Sequence, residues 1–403
     1  MEIAVSSAGA AGDILRPPPS EQTRDWLARV EKLAPVIEEN RVRAETDRVT
    51  PRPVFEALRD ARIPRMWVSK EFGGEQLTIE TGSAIVQALA RIDASMAWQM
   101  GVQGAIGRLS DYLPESTART LFQYSDGLVV GGVNPSGHAE ALDGGYLLTG
   151  EWAFASGSAH ADWLVCAAHV TDEGQVRRTP DGPALRMLFV PRSDAEIRDT
   201  WHTVGLRGTG SNHYRVERVF VPEEFTVDGA DMHRPPAERP SRAYPISYYD
   251  FGPFTSASTA LGVAQDALAD FKALAARKTA TGASSTLATS HTAQDKLARA
   301  QADVHTAEVL LAHAAAQVTA YGTDGGTDLT ALVRLTAATV AEKTVAAVDS
   351  LFTLAGATSV YATSRLERCF RDIHSATKHI TLSSMHFETV GQYLLGGELL
   401  MRR

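Results

Sequence analysis

Apolar residues recur at helical spacing over the first part of the chain. One stripe, with intervals of three and four residues, contains Trp26, Val30, Leu33 and Ile37. This spacing is typical of a helix with one buried face. The Gly73-Gly74 pair interrupts the pattern, and a further helix is predicted to start near Thr78. We therefore predict an N-terminal helical domain over residues 21–127.

From Leu128 the pattern changes to short runs of aliphatic and aromatic residues separated by Gly, Pro and Asp. The runs are LVVGGV, GGYLLTGEWAFAS, ADWLVCAAHV and ALRMLFVPR. Runs of this composition are typical of strands joined by turns. The sequence predicts a middle β-domain over residues 128–230, followed by a Pro-rich linker at 231–250.

Helical spacing returns after the linker. A seam of apolar residues recurs every seventh residue at Leu297, Val304, Leu311 and Val318, and the first three are each followed three places on by an alanine, at Ala300, Ala307 and Ala314. Such a seam predicts close helix packing. With an earlier stripe at 260–274, and with helices expected from Leu329 to Leu354 and from Met385 to Leu400, residues 251–403 predict a four-helix bundle.

Composition and charge favour a protein that acts on small molecules. The chain has 403 residues, 44% of them hydrophobic, which is enough for a large core. A net charge of -9 disfavours nucleic acid and anionic membranes as partners. Cys166 and Cys369 show neither a metal-ligand spacing nor a disulfide framework. Residues 1–20 lack the features of a signal peptide and no run could span a bilayer, so we expect a flexible leader and a cytoplasmic location.

The stretch Ser350–Ile380 joins an apolar helix to a dense cluster of ionisable residues. Within fifteen positions it carries Arg365, Arg368, Arg371, Asp372, His374, Lys378 and His379. Such a charge density beside a packed helix indicates a functional cleft. The alternative is a surface helix whose two histidines have no special role.

RDIHSATKH within that stretch resembles the oxygenase branch of the acyl-CoA dehydrogenase superfamily, the two-component (group D) flavin-dependent monooxygenases. The resemblance extends from residue 25 to residue 400, with the elements in the same order. It implies a mainly α fold with a central β-domain: an N-terminal helical domain, a middle β-barrel or sandwich, and a C-terminal four-helix bundle. Members of this superfamily form homotetramers on the bundle, so a homotetramer is expected.

Three segments of the β-domain match the superfamily's flavin-binding passages: VNPSG at 133–137, GEWAFASGSAHADW, and GLRGTGSNHYRVERVFVP. The resemblance implies that Ser156 lies near flavin N5 and that Phe154 forms an apolar wall for the ring. The other flavin contacts that it implies are Asn134, Ser136, Ser158, Arg207, Gly208, Thr209, Ser211, Arg277 and Arg371. Ser156 and Ser158 could instead be turn-forming hydroxyls.

The acid that a dehydrogenase needs is missing. The superfamily's two positions for a carboxylate base fall at Ile380 and near Gly252, although Asp250 is close enough to the second to leave a dehydrogenase open. His379, beside the first position, matches the histidine of the oxygenase branch. Arg277 is followed by KTATGASS rather than by the Phe-Gly that grips the adenine half of FAD. A diffusible reduced flavin is therefore expected.

The resemblance then implies a monooxygenase that takes FMNH2 or FADH2 from a separate NAD(P)H flavin reductase and reacts it with O2. The resulting C4a-hydroperoxyflavin would oxygenate an aromatic or heteroatom-containing substrate, and no metal is expected. His379 would deprotonate a phenol or orient the reacting atom, because a neutral imidazole suits that task. Ser156 would hold the hydroperoxide.

His374 is a second catalytic candidate that could instead pack or pair with Asp372. The expected substrate pocket contains Asp93 and Trp98 beside His379, although Trp98 could instead be a core residue. Two other functions stay open: a dehydrogenase that uses Asp250, and a catalytically silent flavin-binding or scaffold subunit.

Overall fold

The computed structural model describes residues 18–180, 182–236, 244–279, 282 and 284–399. Most of the predicted leader, the middle of the predicted linker and the end of the last predicted helix lie outside these ranges. None of the helices within them is both long and apolar enough to cross a membrane.

Five α-helices precede the first strand among the described residues, and their apolar stripes face inward as the sequence predicts. They are α1 (Glu21–Asp47), α2 (Arg52–Asp60), α3 (Ile79–Ile92), α4 (Ala94–Gly107) and α5 (Glu115–Ala118). The stripe residues Trp26, Val30, Leu33 and Ile37 are all buried. α3 begins after Thr78, whose side chain accepts a hydrogen bond from Thr81 N and so caps the helix.

The described strands form one eight-stranded mixed sheet and a two-stranded ribbon. They are β1 (Leu128–Leu142), β2 (Gly145–Ala155), β3 (Ala161–Asp172), β4 (Gln175–Val176), β5 (Arg178–Thr179), β6 (Gly182–Pro183), β7 (Leu185–Pro191), β8 (Glu196–Arg198), β9 (Asn212–Pro222) and β10 (Thr226–Asp228). The main sheet has the order β10-β7-β3-β1-β2-β9-β8, with β4 on β3. Only β1 and β3 pair in parallel among these strands.

The C-terminal helices are α6 (Tyr248–Arg277), α7 (His291–Tyr321), α8 (Gly326–Ala355), α9 (Arg365–Ala376) and α10 (Met385–Leu394). Three long helices, α6, α7 and α8, pack on one another, and α9 packs on both α6 and α8. The fourth helix of the bundle is thus α9. The last helix is predicted to run from Met385 to Leu400, but α10 is shorter, ends at Leu394 and packs on α8.

The apolar seam of α7 packs against another helix of the same chain. Val304, Leu311 and Val318 are buried, as are Ala300, Ala307 and Ala314, and α7 packs mainly on α8. Close packing of small and branched side chains between two helices explains the sevenfold spacing. The seam therefore stabilises the single chain and is not available as a surface for another copy.

Candidate active site

A β-bulge fixes the position of Phe154. The pairing of β2 with β9 matches Trp152 to Tyr214 and Ala155 to Asn212, so one extra residue lies on β2 between these pairs. Phe154 lies in this bulge with φ +69°, a left-handed conformation that is unusual for an aromatic residue. Its side chain is 60% exposed and meets Trp201 edge to face, with the ring centres 6.1 Å apart.

A second irregularity presents Asn134 and Ser136. Six residues of β1, from Gly132 to Gly137, span the same interval as three residues of β3, from Cys166 to Ala168. The intervening segment leaves the regular β1–β3 ladder, and both Asn134 and Ser136 are exposed. Backbone groups released from a ladder in this way are available to a ligand, as the flavin-binding passage requires.

A chain of three hydroxyls begins at Ser156. Its Oγ lies 2.7 Å from Ser211 Oγ, which lies 2.6 Å from Thr209 Oγ1. Thr209 Oγ1 donates to Leu206 O at 2.9 Å. All three hydroxyl residues are buried. We call Ser156, Ser211 and Thr209 the hydroxyl chain. Ser158 lies outside it and donates to Gly210 O, 52 positions later in the sequence, at 3.4 Å.

The glycine-rich turn, residues 205–211, is held from two sides. Leu206 has φ +51°, and its N–H donates to Asp372 Oδ1 on α9 at 2.7 Å. Trp201 Nε1 donates to Leu206 O at 3.0 Å. Gly208 lies so close to α1 and α4 that a Cβ there would come within 3.3 Å of both Ala44 Cβ and Ser95 Cβ. These contacts anchor the turn against α1, α4 and α9.

His379 lies beside Trp98, one of the two residues expected to share a substrate pocket with it. It directly precedes the 3₁₀ turn Ile380–Leu382, and its ring meets the Trp98 ring edge to face at 5.4 Å. Its Nδ1 is 2.8 Å from Thr381 Oγ1, which in turn donates to Ser256 Oγ on α6 at 2.9 Å. Burial lowers the pKa of His379 to about 4. The ring is therefore neutral at pH 7.

α4 connects the His379 group to the glycine-rich turn. Trp98 contacts His379, while its neighbour Gln99 places Nε2 3.4 Å from Gly208 O and 2.6 Å from Thr50 Oγ1. A Cβ at Gly157, next to Ser156, would come within 3.1 Å of Gln99 Oε1. The two halves of the site therefore lie against one helix.

His374, the second catalytic candidate, packs between two helices. Its Nε2 lies 2.9 Å from Oδ1 of Asp349 on α8, so its partner is Asp349 and not Asp372. Its ring packs against the Phe370 ring, with the ring centres 4.6 Å apart. It is thus a contact between α8 and α9 that the structure does not bring together with His379, Trp98 or Ser156. The sequence could not show this, because Asp349 is 25 residues earlier in the chain.

Asp93 and Arg371 belong to a network of ion pairs. Asp93 Oδ1 caps α4 by accepting from Ser95 N, and Oδ2 lies 3.0 Å from Arg368 Nη2. Arg371 pairs with Glu45 at 2.6 Å and with Glu367 at 2.5 Å. With their charges matched in this way, Asp93 and Arg371 stabilise the junction of α1, α4 and α9, and the predicted ligand contacts are not supported.

Asp250 and Arg277 lie elsewhere. Asp250 Oδ2 accepts hydrogen bonds from Ser247 Oγ at 2.7 Å and from Thr330 Oγ1 at 2.9 Å. It lines a cavity of about 340 Å³ whose wall, among the described residues, includes neither His379 nor Ser156. A carboxylate held by two hydroxyls in a separate cavity is a poor candidate for the base of a dehydrogenase. Arg277 is exposed at the end of α6.

Sequence reasoning missed several residues of the site: Thr381 and Ser256 around His379, Trp201 beside Phe154, and Thr50 and Gln99 beside Gly208. Most are ordinary polar side chains without a local motif. Within the described ranges, no three His, Cys, Asp or Glu side chains cluster into a metal site.

Family models for the N-terminal and C-terminal domains of acyl-CoA dehydrogenase match residues 18–113 and 254–384. The oxygenase component of an FADH(2)-dependent resorcinol hydroxylase from Rhizobium sp. is 30% identical over 96% of this chain and 98% of its own length. The chain belongs to the oxygenase branch of the acyl-CoA dehydrogenase superfamily. This confirms the predicted family and the predicted enzyme class.

A second relative agrees with this placement, and a solved structure agrees with the fold. An indole-3-acetate monooxygenase from Pseudomonas putida is 28% identical over 87% of this chain and 88% of its own length. The fold matches that of XiaF from Streptomyces sp., solved with FADH2 and glycerol, with a TM-score of 0.85, 24% identity and coverage of 95% and 98%. The predicted fold class is thereby confirmed.

The residues present fit a flavin. Arg207 Nε is buried without a hydrogen-bond partner among the described residues, so the glycine-rich turn holds a donor that a ligand could satisfy. The exposed Phe154 ring and the released backbone of β1 supply the apolar wall and the polar edge that an isoalloxazine needs.

Proposed function

We propose that this chain is the oxygenase component of a two-component monooxygenase that uses reduced flavin and O2 to oxygenate a small aromatic substrate. A separate reductase would supply the flavin. The observation that carries the proposal is the environment of His379, a partly buried, neutral imidazole in edge contact with Trp98. An aromatic ring beside Trp98 would bring its hydroxyl or ring nitrogen to that imidazole.

The contacts of His379 favour one tautomer. The Thr381 hydroxyl gives its hydrogen to Ser256, so the 2.8 Å contact with Nδ1 is best satisfied when Nδ1–H donates to Thr381 Oγ1. The Thr381 backbone N–H also faces Nδ1, but at 3.4 Å it is the weaker contact. Nε2 then carries the lone pair that accepts a proton or a hydrogen bond from the substrate.

When reduced flavin and O2 are bound, they supply the oxygenating chemistry. Phe154, supported by Trp201, would cover one side of the ring and exclude water. Ser156 would contact N5, while the released backbone at 133–136 and the Arg207 guanidinium would bind polar edges of the flavin. Ser158 would act by holding Gly210 in the turn.

The test uses the full chain with FMN or FAD, NADH, a general flavin reductase and ¹⁸O2. The substrates are resorcinol, 4-hydroxyphenylacetate and indole-3-acetate. We expect ¹⁸O in a hydroxylated product with at least one of them and little NADH-independent turnover. Reduction of bound flavin by an acyl-CoA in the absence of oxygen, without ¹⁸O incorporation, would instead identify a dehydrogenase.

We also propose that the enzyme is a homotetramer that releases its flavin readily. Weak retention of flavin follows from the missing Phe-Gly after Arg277, and stoichiometric FAD after dialysis would contradict it.

Support for association into a tetramer comes from α10 and the residue after it, where Leu394 is 74% exposed and Leu395 is 92% exposed. Neighbouring apolar side chains left open on a single chain are typical of a contact surface.

A further inference from the structure

The hydroxyl chain has a defined direction. Thr209 Oγ1 and Leu206 O are 2.9 Å apart, and two oxygens at that distance repel unless a hydrogen lies between them. A carbonyl has no hydrogen to give, so Thr209 must be the donor. Each hydroxyl has one hydrogen, which decides the remaining two contacts.

The direction passes from residue to residue. Because the Thr209 hydrogen is committed to Leu206 O, the 2.6 Å contact with Ser211 requires Ser211 to donate. The Ser211 hydrogen is then committed as well, so the 2.7 Å contact with Ser156 requires Ser156 to donate. Ser156 Oγ is left with its lone pairs only, and it can accept but not donate a further hydrogen bond.

This direction discriminates between the two oxidation states of a flavin. N5 of the reduced ring carries a hydrogen and is a donor, whereas N5 of the oxidised ring has only a lone pair. We propose that Thr209 and Ser211 are specificity-determining residues, which commit the Ser156 hydrogen to the protein so that Ser156 accepts from N5–H and selects reduced flavin. The proposal rests on the proposed function, since it takes Ser156 as the neighbour of N5.

Binding of oxidised flavin would disrupt the hydrogen bonds of the hydroxyl chain. To donate to a bare N5, Ser156 would have to turn its hydrogen away from Ser211, leaving a buried acceptor unsatisfied. If it did not turn, two lone pairs would face each other. Either outcome weakens the oxidised complex by roughly tenfold relative to the reduced one, the size of one ordinary hydrogen bond with its unmet partner.

Thr209→Val removes Thr209 Oγ1, the acceptor for Ser211 in the hydroxyl chain. Leu206 O keeps its bonds from Trp201 Nε1 at 3.0 Å and from Thr209 N at 3.1 Å, so the turn stays anchored. Ser211 can then turn its hydrogen to Ser156, which frees the Ser156 hydrogen for an oxidised N5. Thr209→Ser keeps the hydroxyl and should keep the direction.

The experiment measures binding, not turnover. The full chain is titrated without oxygen with FMN and with FMNH2, and tryptophan fluorescence gives a Kd for each. The parent should bind FMNH2 more tightly. The ratio of the two Kd values should fall roughly tenfold in Thr209→Val and stay within about twofold in Thr209→Ser. Thr344→Val removes a hydroxyl that is buried in α8 and should leave the ratio unchanged.

An equal loss of affinity for both forms in Thr209→Val would mean a merely structural role and would overturn the inference. Should Thr209→Val not fold, Ser211→Ala makes the same test, because it too frees the Ser156 hydrogen. If the parent binds neither FMN nor FMNH2, the same titration is made with FAD and FADH2, and the proposed function fails if neither pair binds. A parent that prefers FMNH2 and an unaltered ratio in the variants would refute only the role of Thr209 and Ser211.

Discussion

The low pKa of His379 makes its imidazole a weak base. A phenol has a pKa of about 10, whereas the pKa of His379 is about 4. Proton transfer from a neutral phenol to this imidazole is therefore unfavourable when neither group stabilises the charge on the other. An anion formed beside the ring would raise the imidazole pKa, because an opposite charge favours the protonated form. We therefore expect His379 to accept a hydrogen bond from the substrate first and the proton only as negative charge develops.

His379→Ala should lose product without losing flavin oxidation. General acid–base assistance is worth about 10²- to 10⁴-fold, so kcat/KM for hydroxylated product should fall by that range. NADH consumption should continue and yield hydrogen peroxide, measured by a peroxidase assay. His374→Ala is the matched control, because His374 pairs with Asp349 on α8 and should affect mainly stability. Parent-like product formation in His379→Ala would refute the assignment.

Burial of His379 also predicts a dependence of stability on pH. The folded-state pKa of about 4 lies below the ordinary histidine value of 6.5, so the unfolded chain binds the proton more tightly. This contribution to stability is therefore present above pH 6.5 and is lost as pH falls toward 4. The loss at pH 5 is at most about 2 kcal/mol.

The parent should consequently lose more stability between pH 7 and pH 5 than His379→Gln does, measured as the change in urea midpoint. Asp372 acts in the opposite direction, since burial raises its pKa to about 6, but it is present in both proteins and cancels in the comparison. Equal pH dependence in the two proteins would show that His379 titrates as if exposed.

At the scale of the elements, α7 offers a direct test of where its seam packs. Leu311 is buried, and α7 packs mainly on α8 of the same chain, so Leu311→Ala should lower the free energy of unfolding by about 2–4 kcal/mol. The sedimentation coefficient should not change. Val309→Ala on the same helix, where Val309 is 52% exposed, should cost less than about 0.5 kcal/mol. Dissociation of an oligomer by Leu311→Ala would place the seam between chains.

The elements could largely be predicted from sequence, because apolar spacing reports directly which helix face is buried. The partners of polar groups could not. Asp93 and Arg371 look like ligand-binding residues until Arg368 and Glu45 are found beside them. Thr381 and Ser256 are 125 residues apart, and the left-handed φ of Phe154 has no signature in its residue type. Chemistry at this site depends on contacts between elements, which spacing along the chain does not contain.

At the scale of the whole molecule, we expect a tetramer by sedimentation at micromolar concentration. The double variant Leu394→Glu/Leu395→Glu should dissociate it, because charges would replace two exposed apolar side chains at the end of α10. Val42→Glu is the control, since Val42 is 77% exposed on α1 and lies on a different element. A monomeric parent, or equal dissociation by the control, would contradict the proposal.

The hydrogen bond from Leu206 N to Asp372 also bears on the order in which the molecule is made. These residues are 166 positions apart, so the glycine-rich turn lacks this partner until α9 has left the ribosome and docked. Closing so long a loop is a late event in folding. Flavin capture should therefore follow completion of the chain, and a nascent chain stalled before α9 should expose an unformed turn that binds no flavin.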